Sequence, residues 1–480
     1  MIFDSRSAIG KYGIEKLLSP KTISAKIHPV TYGVSRLFSA STISNIKSKM
    51  ATAILDLEIS KLPPEITVEE RYSKALILIR LHGKPIGQAL LPVVGGRQGG
   101  DELREKLMNA AGDNLWKNWL YDTLEWDERG PVEALPIATV AVCTRDRPED
   151  LRRCLDALML LPDDGQEYLV IDNCPATEAS SELVKNYPKI RYVREDVAGE
   201  SAARNRALRE AKHEFVAFTD DDAAPDRNWL RSLLRNFNDP RVMCVTGLLM
   251  PLELETEAQE WFERYSPYGR GFERRVFDGT QCNPLVVYPV GVSGSMALRK
   301  SVIDSIGLFD EALGVGTPAK CGSDSEQFAR ILRAGYRIVY EPTALSWHRH
   351  RRTWEELRKL LQCYGIGVYA FWTRIFVVNR EFSAPLLAWW WLRYKQIPDL
   401  IASLRKQPGS VPRDLLLAEL RGCISGPMAY FISRKNQKAI IKKQEASSAT
   451  NSVTEVTDGK MKQEGIEMKI GMKQEGIEMK

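Results

Sequence analysis

The sequence predicts an α/β protein whose central domain is a mostly parallel sheet flanked by helices, with a small N-terminal module and a helical C-terminal module. Three observations predict this class. Between residues 138 and 350, short apolar runs alternate with segments of helical spacing, as in parallel sheets covered by helices. Residues 51–130 contain strand-like runs and glycine-rich turns, which predict an accessory α+β module. Residues 351–443 are helical in pattern, basic and aromatic-rich.

Composition is that of an ordinary globular protein. The chain has 480 residues, of which 44% are hydrophobic and 27% charged, and this length suggests about two to four domains. A net charge of only +5 argues against a dedicated nucleic-acid binder, whose footprint is clustered basic charge. Eight cysteines without a CxxC pair predict buried free thiols in a reducing compartment, here the cytoplasm.

The charge is distributed unevenly. Residues 1–50 carry 8 basic and 2 acidic side chains, residues 351–443 carry 17 and 6, and residues 444–480 carry 5 and 7, which leaves −10 on residues 51–350.

The basic charge of residues 351–443 stands beside the run Trp389, Trp390 and Trp391, and this combination predicts peripheral contact with an anionic membrane at its inner face. Packing against the central domain or a partner protein is the alternative. No apolar run reaches the roughly 20 residues of a membrane-spanning helix.

Both ends of the chain are predicted to be disordered. Residues 1–50 are Ser-rich and acid-poor, which superficially resembles a targeting peptide. An unstructured extension, or a mis-assigned start with Met50 as the true N-terminus, is favoured. Residues 444–480 are polar, and residues 461–469 recur unchanged as 472–480.

Within the central domain, apolar β-rich runs and helical segments alternate in chain order. The predicted strands are residues 139–143, 167–171, 190–193, 215–218 and 242–248, and the predicted helices are residues 148–160, 201–211 and 228–238.

A cluster of three acids follows one of these strands. Asp220, Asp221 and Asp222 come directly after the apolar run 215–218, at the carboxyl end of a strand, where open α/β sheets bind ligands. Three adjacent carboxylates repel unless a cation neutralises them, and oxygen ligands suit Mg²⁺ or Mn²⁺. A solvated acidic turn is the alternative.

Five motifs in order resemble the inverting family 2 glycosyltransferases of the GT-A fold, over roughly residues 138–350. Their joint occurrence is far more specific than any one of them. The motifs are CTRDR at residues 143–147, IDN at 171–173, GESAARN at 199–205, DDD at 220–222 and GSDSE at 322–326.

The resemblance implies a donor site for a nucleotide-sugar. Thr144 and Arg145 would line the nucleobase pocket, and Asp172 would accept a hydrogen bond from the base or ribose. Arg204 belongs to the donor site in the family, where Ser201 as helix N-cap and the guanidinium favour a diphosphate. A structural acid at 172 and an ion pair at 204 are the alternatives.

The resemblance also implies a metal site. Asp220 and Asp222 have the Asp-x-Asp spacing, so Asp222 would ligate the metal and Asp220 the ribose or metal, with Asp221 pointing the other way and counted among the nucleotide contacts. His348 would be a third ligand, although a structural role is the alternative. The metal would stabilise the departing diphosphate as a Lewis acid.

On the acceptor side, the resemblance implies that Asp324 is the general base, although it could instead cap the helix 325–334. Ser323 stands where the family typically has a first acid. Gly294 and Ser295 would touch the transferred sugar, with structural crowding as the alternative. Residues 314–321 are predicted to form a flexible acceptor loop.

Together these features predict transfer of a sugar, with inversion, from a nucleoside-diphosphate sugar, most simply UDP-linked, to a hydroxyl of a glycan, lipid-linked or small-molecule acceptor. One alternative is a non-catalytic GT-A-fold protein that binds nucleotide-sugars or acts as a scaffold. Another is a sugar nucleotidyltransferase, but residues 145–147 lack the glycines that a triphosphate-binding loop would need.

Overall fold

The computed structural model describes residues 51–127 and 134–442. The predicted extension at residues 1–50 and the predicted tail at 444–480 lie outside the described residues.

The N-terminal region is a small module built on a three-stranded sheet. Its elements are β1 (Thr52–Glu58), β2 (Glu65–Thr67), β3 (Lys74–Leu81), β4 (Lys84–Pro92), β5 (Arg97–Gly99), α1 (Asp101–Ala111) and α2 (Asp113–Thr123). Strand β3 lies between β1, which is parallel to it, and β4, which is antiparallel. Leu103 and Leu107 of α1 pack against Ile77 and Ile79, which gives the module its own core.

Nine strands form the central sheet. They are β6 (Ala138–Thr144), β7 (Glu167–Asn173), β8 (Ile190–Glu195), β9 (Phe215–Asp220), β10 (Ala223–Pro225), β11 (Val242–Pro251), β12 (Arg275–Asp278), β13 (Ser295–Arg299) and β14 (Arg337–His348). Their order is β10-β14-β11-β13-β9-β6-β7-β8, with β12 also paired to β14.

This sheet is mixed rather than mostly parallel. Strands β9, β6, β7 and β8 form a parallel block, and β11 is parallel to β14. Strand β13 runs antiparallel to both β9 and β11. The predicted α/β layers, with the N-terminal module and the helical C-terminal region, are confirmed.

Helices cover both faces of the sheet because strand residues alternate between them. Val140 and Val142 pack with Leu151 and Leu155 on one face, while Ala141 packs in the cluster on the other. The central helices are α3 (Pro148–Leu158), α4 (Ala179–Val184), α5 (Glu200–Glu210), α6 (Trp229–Leu234), α7 (Glu257–Tyr265), α8 (Val302–Ile306) and α9 (Ser323–Arg333).

Two helix starts differ from the predictions. Helix α5 is capped by Gly199, and Ser201 lies inside its first turn, where the hydroxyl donates to the carbonyl of Leu313 at 2.8 Å. Helix α9 begins at Ser323 after Gly322, whose φ of 92° suits glycine. Asp324 is therefore not the N-cap, and the alternative role proposed for it is wrong.

The C-terminal region is helical, as predicted. It comprises α10 (Trp354–Asn379), α11 (Ser383–Trp391), a π-helical turn (Leu392–Gln396), α12 (Ile397–Leu404) and α13 (Arg413–Lys442). Helix α10 starts with a capping box between Thr353 and Glu356. Its buried Arg374 pairs with Glu326 of α9 at 2.9 Å, which ties the region to the central domain.

Two of these helices have the length and apolar composition of a membrane span. In α10, half of the most apolar 18-residue stretch is buried within the protein. In α13, 39% of the corresponding stretch is buried. Core helices of soluble proteins can have the same length and apolar composition, so composition alone does not assign either helix to a membrane.

Helices α10 and α13 cross at unusually short range through glycines. A Cβ at Gly365 would overlap the backbone oxygen of Glu419, and one at Gly422 would overlap the oxygen of Gln362. The absence of side chains at these positions therefore sets the distance between the helices.

Replacing Gly422 with valine should force α10 and α13 apart. Overpacking of this kind costs about 1–3 kcal/mol, so we expect the free energy of unfolding in urea to fall by about that amount. Ser425→Val, on the exposed side of the same helix, is the control and should have little effect. Equal stabilities for the two variants would contradict the proposed close crossing.

Candidate functional site

The candidate site lies where the parallel strands end. Pairing of β6 with β7 sets Thr144 opposite Asp172, and pairing of β6 with β9 sets Cys143 opposite Asp220. The motifs that follow these strands therefore meet at one edge of the sheet, as the sequence predicted.

Asp220, Asp222 and His348 form a cluster that could hold a metal ion. One ligand atom from each lies within 4.8 Å of the others. Strand β10 brings them together, because Ala223 pairs with His348 on β14. His348 Nε2 lies 3.1 Å from Asp222 Oδ1, and both residues are buried.

The electrostatics of this cluster fit a site for a cation. Burial favours neutral Asp222, but the charges of His348, Arg147 and Arg351 outweigh it and hold the pKa of Asp222 far below its usual value. Burial and the charge of Asp222 raise the pKa values of Asp220 and Asp221. Part of each rise in pKa comes from repulsion between the carboxylates, which a divalent cation would relieve.

The two histidines of this region differ. Burial disfavours protonated His348, but Asp222 outweighs it and raises the pKa of His348. His350 lies behind, with Nε2 3.0 Å from Glu263, and burial lowers its pKa. The Nδ1 atoms of the two rings are 3.3 Å apart. His350 thus supports His348 from behind.

Asp221 points away from this cluster, in the direction that the sequence predicted, although residues 221 and 222 form a turn rather than a continuation of β9. Its carboxylate accepts from the Thr144 hydroxyl at 2.8 Å and from Arg147 at 2.6 Å. Arg147 also donates to Asp222 at 2.8 Å, so one guanidinium bridges two of the three acids. Sequence reasoning assigned Arg147 no role, although it stands in the motif after β6.

Gly294 and Ser295 have different environments. A Cβ at Gly294 would lie 2.5 Å from Asp220 Oδ2, so glycine is needed beside this carboxylate. The Ser295 hydroxyl is fully buried and accepts from the indole of Trp229 at 2.8 Å. The Ser295 hydroxyl is therefore engaged in the core, as in the structural alternative.

Asp172 offers an unpaired acceptor at the end of β7. Its side chain is fully buried, Oδ2 accepts from the Tyr192 hydroxyl at 2.9 Å, and Oδ1 has no hydrogen-bond partner among residues 51–127 and 134–442. Burial raises the pKa of Asp172. Arg145 lies near this corner of the site and is about half exposed. An N–H donor of a ligand would satisfy Asp172 Oδ1.

Arg204 lies between the metal cluster and the start of α9. Its side chain is 3% exposed, and Nη2 donates to Glu200 at 2.5 Å and to Ser293 at 2.8 Å. The same nitrogen is 3.9 Å from Asp220. Nη1 is 3.4 Å from the hydroxyl of Ser323, the residue that replaces the family's first acid. Glu200 is thus a partner that sequence reasoning did not single out.

Asp324 lies at the second position of α9 and is partly exposed. Its Oδ1 accepts from the backbone N–H of Ser325 at 2.7 Å, and its Oδ2 is 3.4 Å from the Ser293 hydroxyl. Ser293 therefore links Asp324 to Arg204.

Comparison with known proteins shows what the central domain is similar to. Residues 139–307 match the model of glycosyl transferase family 2. The chain is 31% identical over 217 residues to a pre-mycofactocin glycosyltransferase of Mycobacterium tuberculosis, covering 44% of this chain and 43% of that protein. It is 27% identical over 189 residues to the O-antigen chain rhamnosyltransferase WbaN of Salmonella anatum, covering 38% and 57%. The chain thus spans about half the length of these two relatives.

Among solved structures, the mannosyltransferase PcManGT of Pyrobaculum calidifontis, in complex with GDP-Man and Mn²⁺, aligns over 65% of this chain and 94% of its own. The sequence identity is 17% and the TM-score 0.42. The order of the motifs and the match to residues 139–307 both indicate that the central α/β domain is similar to family 2 glycosyltransferases.

Proposed function

We propose that the protein transfers a sugar from a nucleoside-diphosphate sugar, UDP-linked in the simplest case, to an acceptor hydroxyl with inversion at the anomeric carbon. The observation that carries this proposal is the cluster of Asp220, Asp222 and His348 at the carboxyl edge of a sheet whose domain matches the model of glycosyl transferase family 2. The acceptor would be a glycan, a lipid-linked sugar or a small molecule.

On the donor side, the unpaired Oδ1 of Asp172 would accept a hydrogen bond from the pairing edge of the base or from the ribose. Arg145 would contact the base from the exposed side. Thr144 would act indirectly, because its hydroxyl donates a hydrogen bond to Asp221. The guanidinium of Arg204 would bind the diphosphate, which is a charge-assisted interaction.

Asp220, Asp222 and His348 would hold a divalent cation, Mn²⁺ or Mg²⁺, since two carboxylates and an imidazole are suitable donors. The bound cation would supply Lewis-acid stabilisation for the diphosphate that leaves. Asp221 and Arg147 would keep Asp222 oriented toward the cation through the contacts described above.

Asp324 would act as general base. Its carboxylate would take the proton of the acceptor hydroxyl while that oxygen bonds to the anomeric carbon. The bond from that carbon to the phosphate oxygen breaks, and the nucleoside diphosphate departs with the electron pair. Because Ser323 replaces the neighbouring acid, Asp324 alone would serve, and a single displacement inverts the configuration.

Gly294→Ala should weaken metal binding, because the new methyl group displaces the Asp220 carboxylate. We expect the affinity for Mn²⁺ in the presence of UDP, measured by titration calorimetry, to fall about tenfold or more. In a double-mutant cycle, Gly294→Ala should cost little once Asp220→Ala is present. If the losses of Mn²⁺ affinity in the two single variants simply added in the double variant, Gly294→Ala would not act through Asp220.

Asp324→Asn should abolish most turnover while leaving the nucleotide site intact. We expect kcat for UDP release with a working donor and acceptor to fall by about 10²–10⁴-fold, with an unchanged Kd for UDP. Asp304→Asn, an exposed carboxylate on α8, should behave as wild type. Unchanged kcat in Asp324→Asn would exclude this residue as the base, whereas nucleotide binding without turnover in the wild type would favour the non-catalytic alternative.

We further propose that the C-terminal helices bind the inner, cytoplasmic face of an anionic membrane. Residues 380–442 carry 11 basic and 4 acidic side chains. They also expose many large apolar side chains, and exposed apolar patches on a protein mark interaction surfaces. The most exposed include Phe382, Leu386, Trp389, Ile401, Leu404, Ile424 and Met428. All eight cysteines are free thiols, which supports a reducing compartment.

Flotation with liposomes tests this surface. The protein should float with vesicles of phosphatidylcholine and phosphatidylglycerol at low salt, and less at high salt. Phe382→Ser combined with Trp389→Ser should weaken binding about tenfold or more. The control, Trp116→Ser with Trp119→Ser, removes two exposed tryptophans from α2 and should bind as wild type. Equal binding to vesicles without phosphatidylglycerol would reject the role of basic charge.

A further inference from the structure

The Tyr192 hydroxyl occupies one of the two carboxylate oxygens of Asp172. Strand β8 runs parallel to β7, and their register sets Tyr192 opposite Val170, two residues before Asp172. Alternate residues of a strand share one face of the sheet, so all three side chains lie on the same face. The Tyr192 ring packs against the core cluster that contains Val170, and its hydroxyl donates to Asp172 Oδ2 at 2.9 Å. Oδ1 is left without a hydrogen-bond partner among the described residues.

The Tyr192 hydroxyl also stabilises the charge of Asp172. Within the part of the chain that the structure describes, Asp172 forms no ion pair. Arg194, which lies opposite it on β8, pairs instead with Asp196 at 2.8 Å and with Glu178 at 3.2 Å. Burial raises the pKa of Asp172, and the hydrogen bond from Tyr192 opposes this rise. The ionised form of Asp172 therefore depends on this hydroxyl.

The position of Asp172 in the sheet corresponds to a nucleobase rather than to a ribose. Strand β6 lies between β7, which carries Asp172, and β9, which carries Asp220. Neighbouring strands are about 4.8 Å apart, so the two strands are separated by about 10 Å. A diphosphate at the metal cluster would therefore place the ribose over β6 and the base, one unit further along, at the end of β7.

We propose that Tyr192 determines which nucleobase the donor site accepts, by holding the Asp172 carboxylate so that its Oδ1 faces the base as a hydrogen-bond acceptor. This inference rests on the proposed function, since it requires a nucleoside diphosphate at the metal cluster. Tyr192 is thus a positioning residue that acts through Asp172.

The base selected in this way is uracil rather than cytosine. An ionised carboxylate only accepts hydrogen bonds. Uracil offers N3–H in the middle of its pairing edge, whereas cytosine has an acceptor nitrogen at that position and carries its donor, the amino group, at the rim. With Oδ2 held by Tyr192, Oδ1 matches uracil. Without the hydroxyl, the Asp172 carboxyl group is free to turn toward the amino group of cytosine, or to protonate and donate to its N3.

Calorimetric binding of UDP and CDP in the presence of Mn²⁺ tests this selection. The two ligands share the ribose and the diphosphate, so the ratio of their Kd values isolates the base. The wild type should bind UDP about tenfold or more tightly than CDP, as expected for one hydrogen bond to a charged group. In Tyr192→Phe, which keeps the ring, this preference should shrink about fivefold or more. A merely structural role of Tyr192 would weaken both ligands equally and leave the ratio unchanged.

Two further variants control this experiment. Tyr187→Phe removes another tyrosine hydroxyl that donates to an aspartate, Asp156, at 2.7 Å, and should keep the wild-type preference for UDP. In a double-mutant cycle, Tyr192→Phe should change the ratio little once Asp172→Asn is present, because the hydroxyl acts through that carboxylate.

The pH dependence of the ratio gives a second readout. The preference for UDP should decrease as the pH falls through the pKa of Asp172, because the protonated carboxyl group donates where uracil also donates. Removing the Tyr192 hydroxyl raises this pKa, so Tyr192→Phe should lose the preference at a higher pH than the wild type. The charges of Asp146, Glu178 and Arg194 also act on Asp172, but all three residues are the same in both proteins.

Equal affinity of the wild type for UDP and CDP, or a ratio that Tyr192→Phe leaves unchanged, would overturn this inference while the proposed function stands. Absence of nucleoside-diphosphate binding in the wild type would overturn both.

Discussion

The structure of the site depends on how three adjacent carboxylates at the end of β9 are neutralised. Asp220, Asp221 and Asp222 could not share one buried strand end as free anions. Arg147 pairs with two of them, His348 with Asp222, and Arg204 lies near Asp220. The surrounding cations come from three different elements. The pairing of β14 within the sheet and the packing of α5 on its face therefore also maintain the charge balance of the site.

This arrangement links the two halves of the proposed reaction. On the donor side, the Arg204 guanidinium lies near Asp220. On the acceptor side, it donates to Ser293, whose hydroxyl is in turn close to Asp324. Helix α9, which carries Asp324, is in turn held by the buried pair between Glu326 and Arg374 of α10. The C-terminal helices that expose the proposed membrane surface are therefore joined directly to the helix that bears the proposed base.

Sequence reasoning predicted the site best where the chemistry depends on neighbouring positions in one chain segment. The separation of Asp221 from Asp220 and Asp222 agrees with the prediction, although a turn at residues 221–222 rather than strand alternation produces it. His348 was assigned to the same site from the family resemblance. It could not predict the antiparallel orientation of β13, because strand direction depends on how the preceding 40 or so residues cross the sheet. The same limit applies to Ser295, whose hydroxyl is directed by Trp229, a residue 66 positions away.

Partners that are distant in sequence were also missed. Arg147, Glu200 and Ser293 lie within or beside recognised motifs, but their contacts with Asp222, Val315 and Asp324 arise only after folding. The prediction that Ser201 caps α5 was wrong for a related reason. Serine is a good N-cap by residue type, but Gly199 occupies the cap position, and the Ser201 hydroxyl donates to the carbonyl of Leu313 instead.

The most direct test of this account is release of nucleoside diphosphate from a panel of UDP-, GDP- and dTDP-sugars, with and without Mn²⁺, by the wild type and Asp222→Ala. The account predicts turnover with at least one donor that depends on the divalent cation and is lost in Asp222→Ala together with nucleotide affinity. No turnover with any donor, and nucleotide binding that Asp222→Ala leaves unchanged, would contradict it.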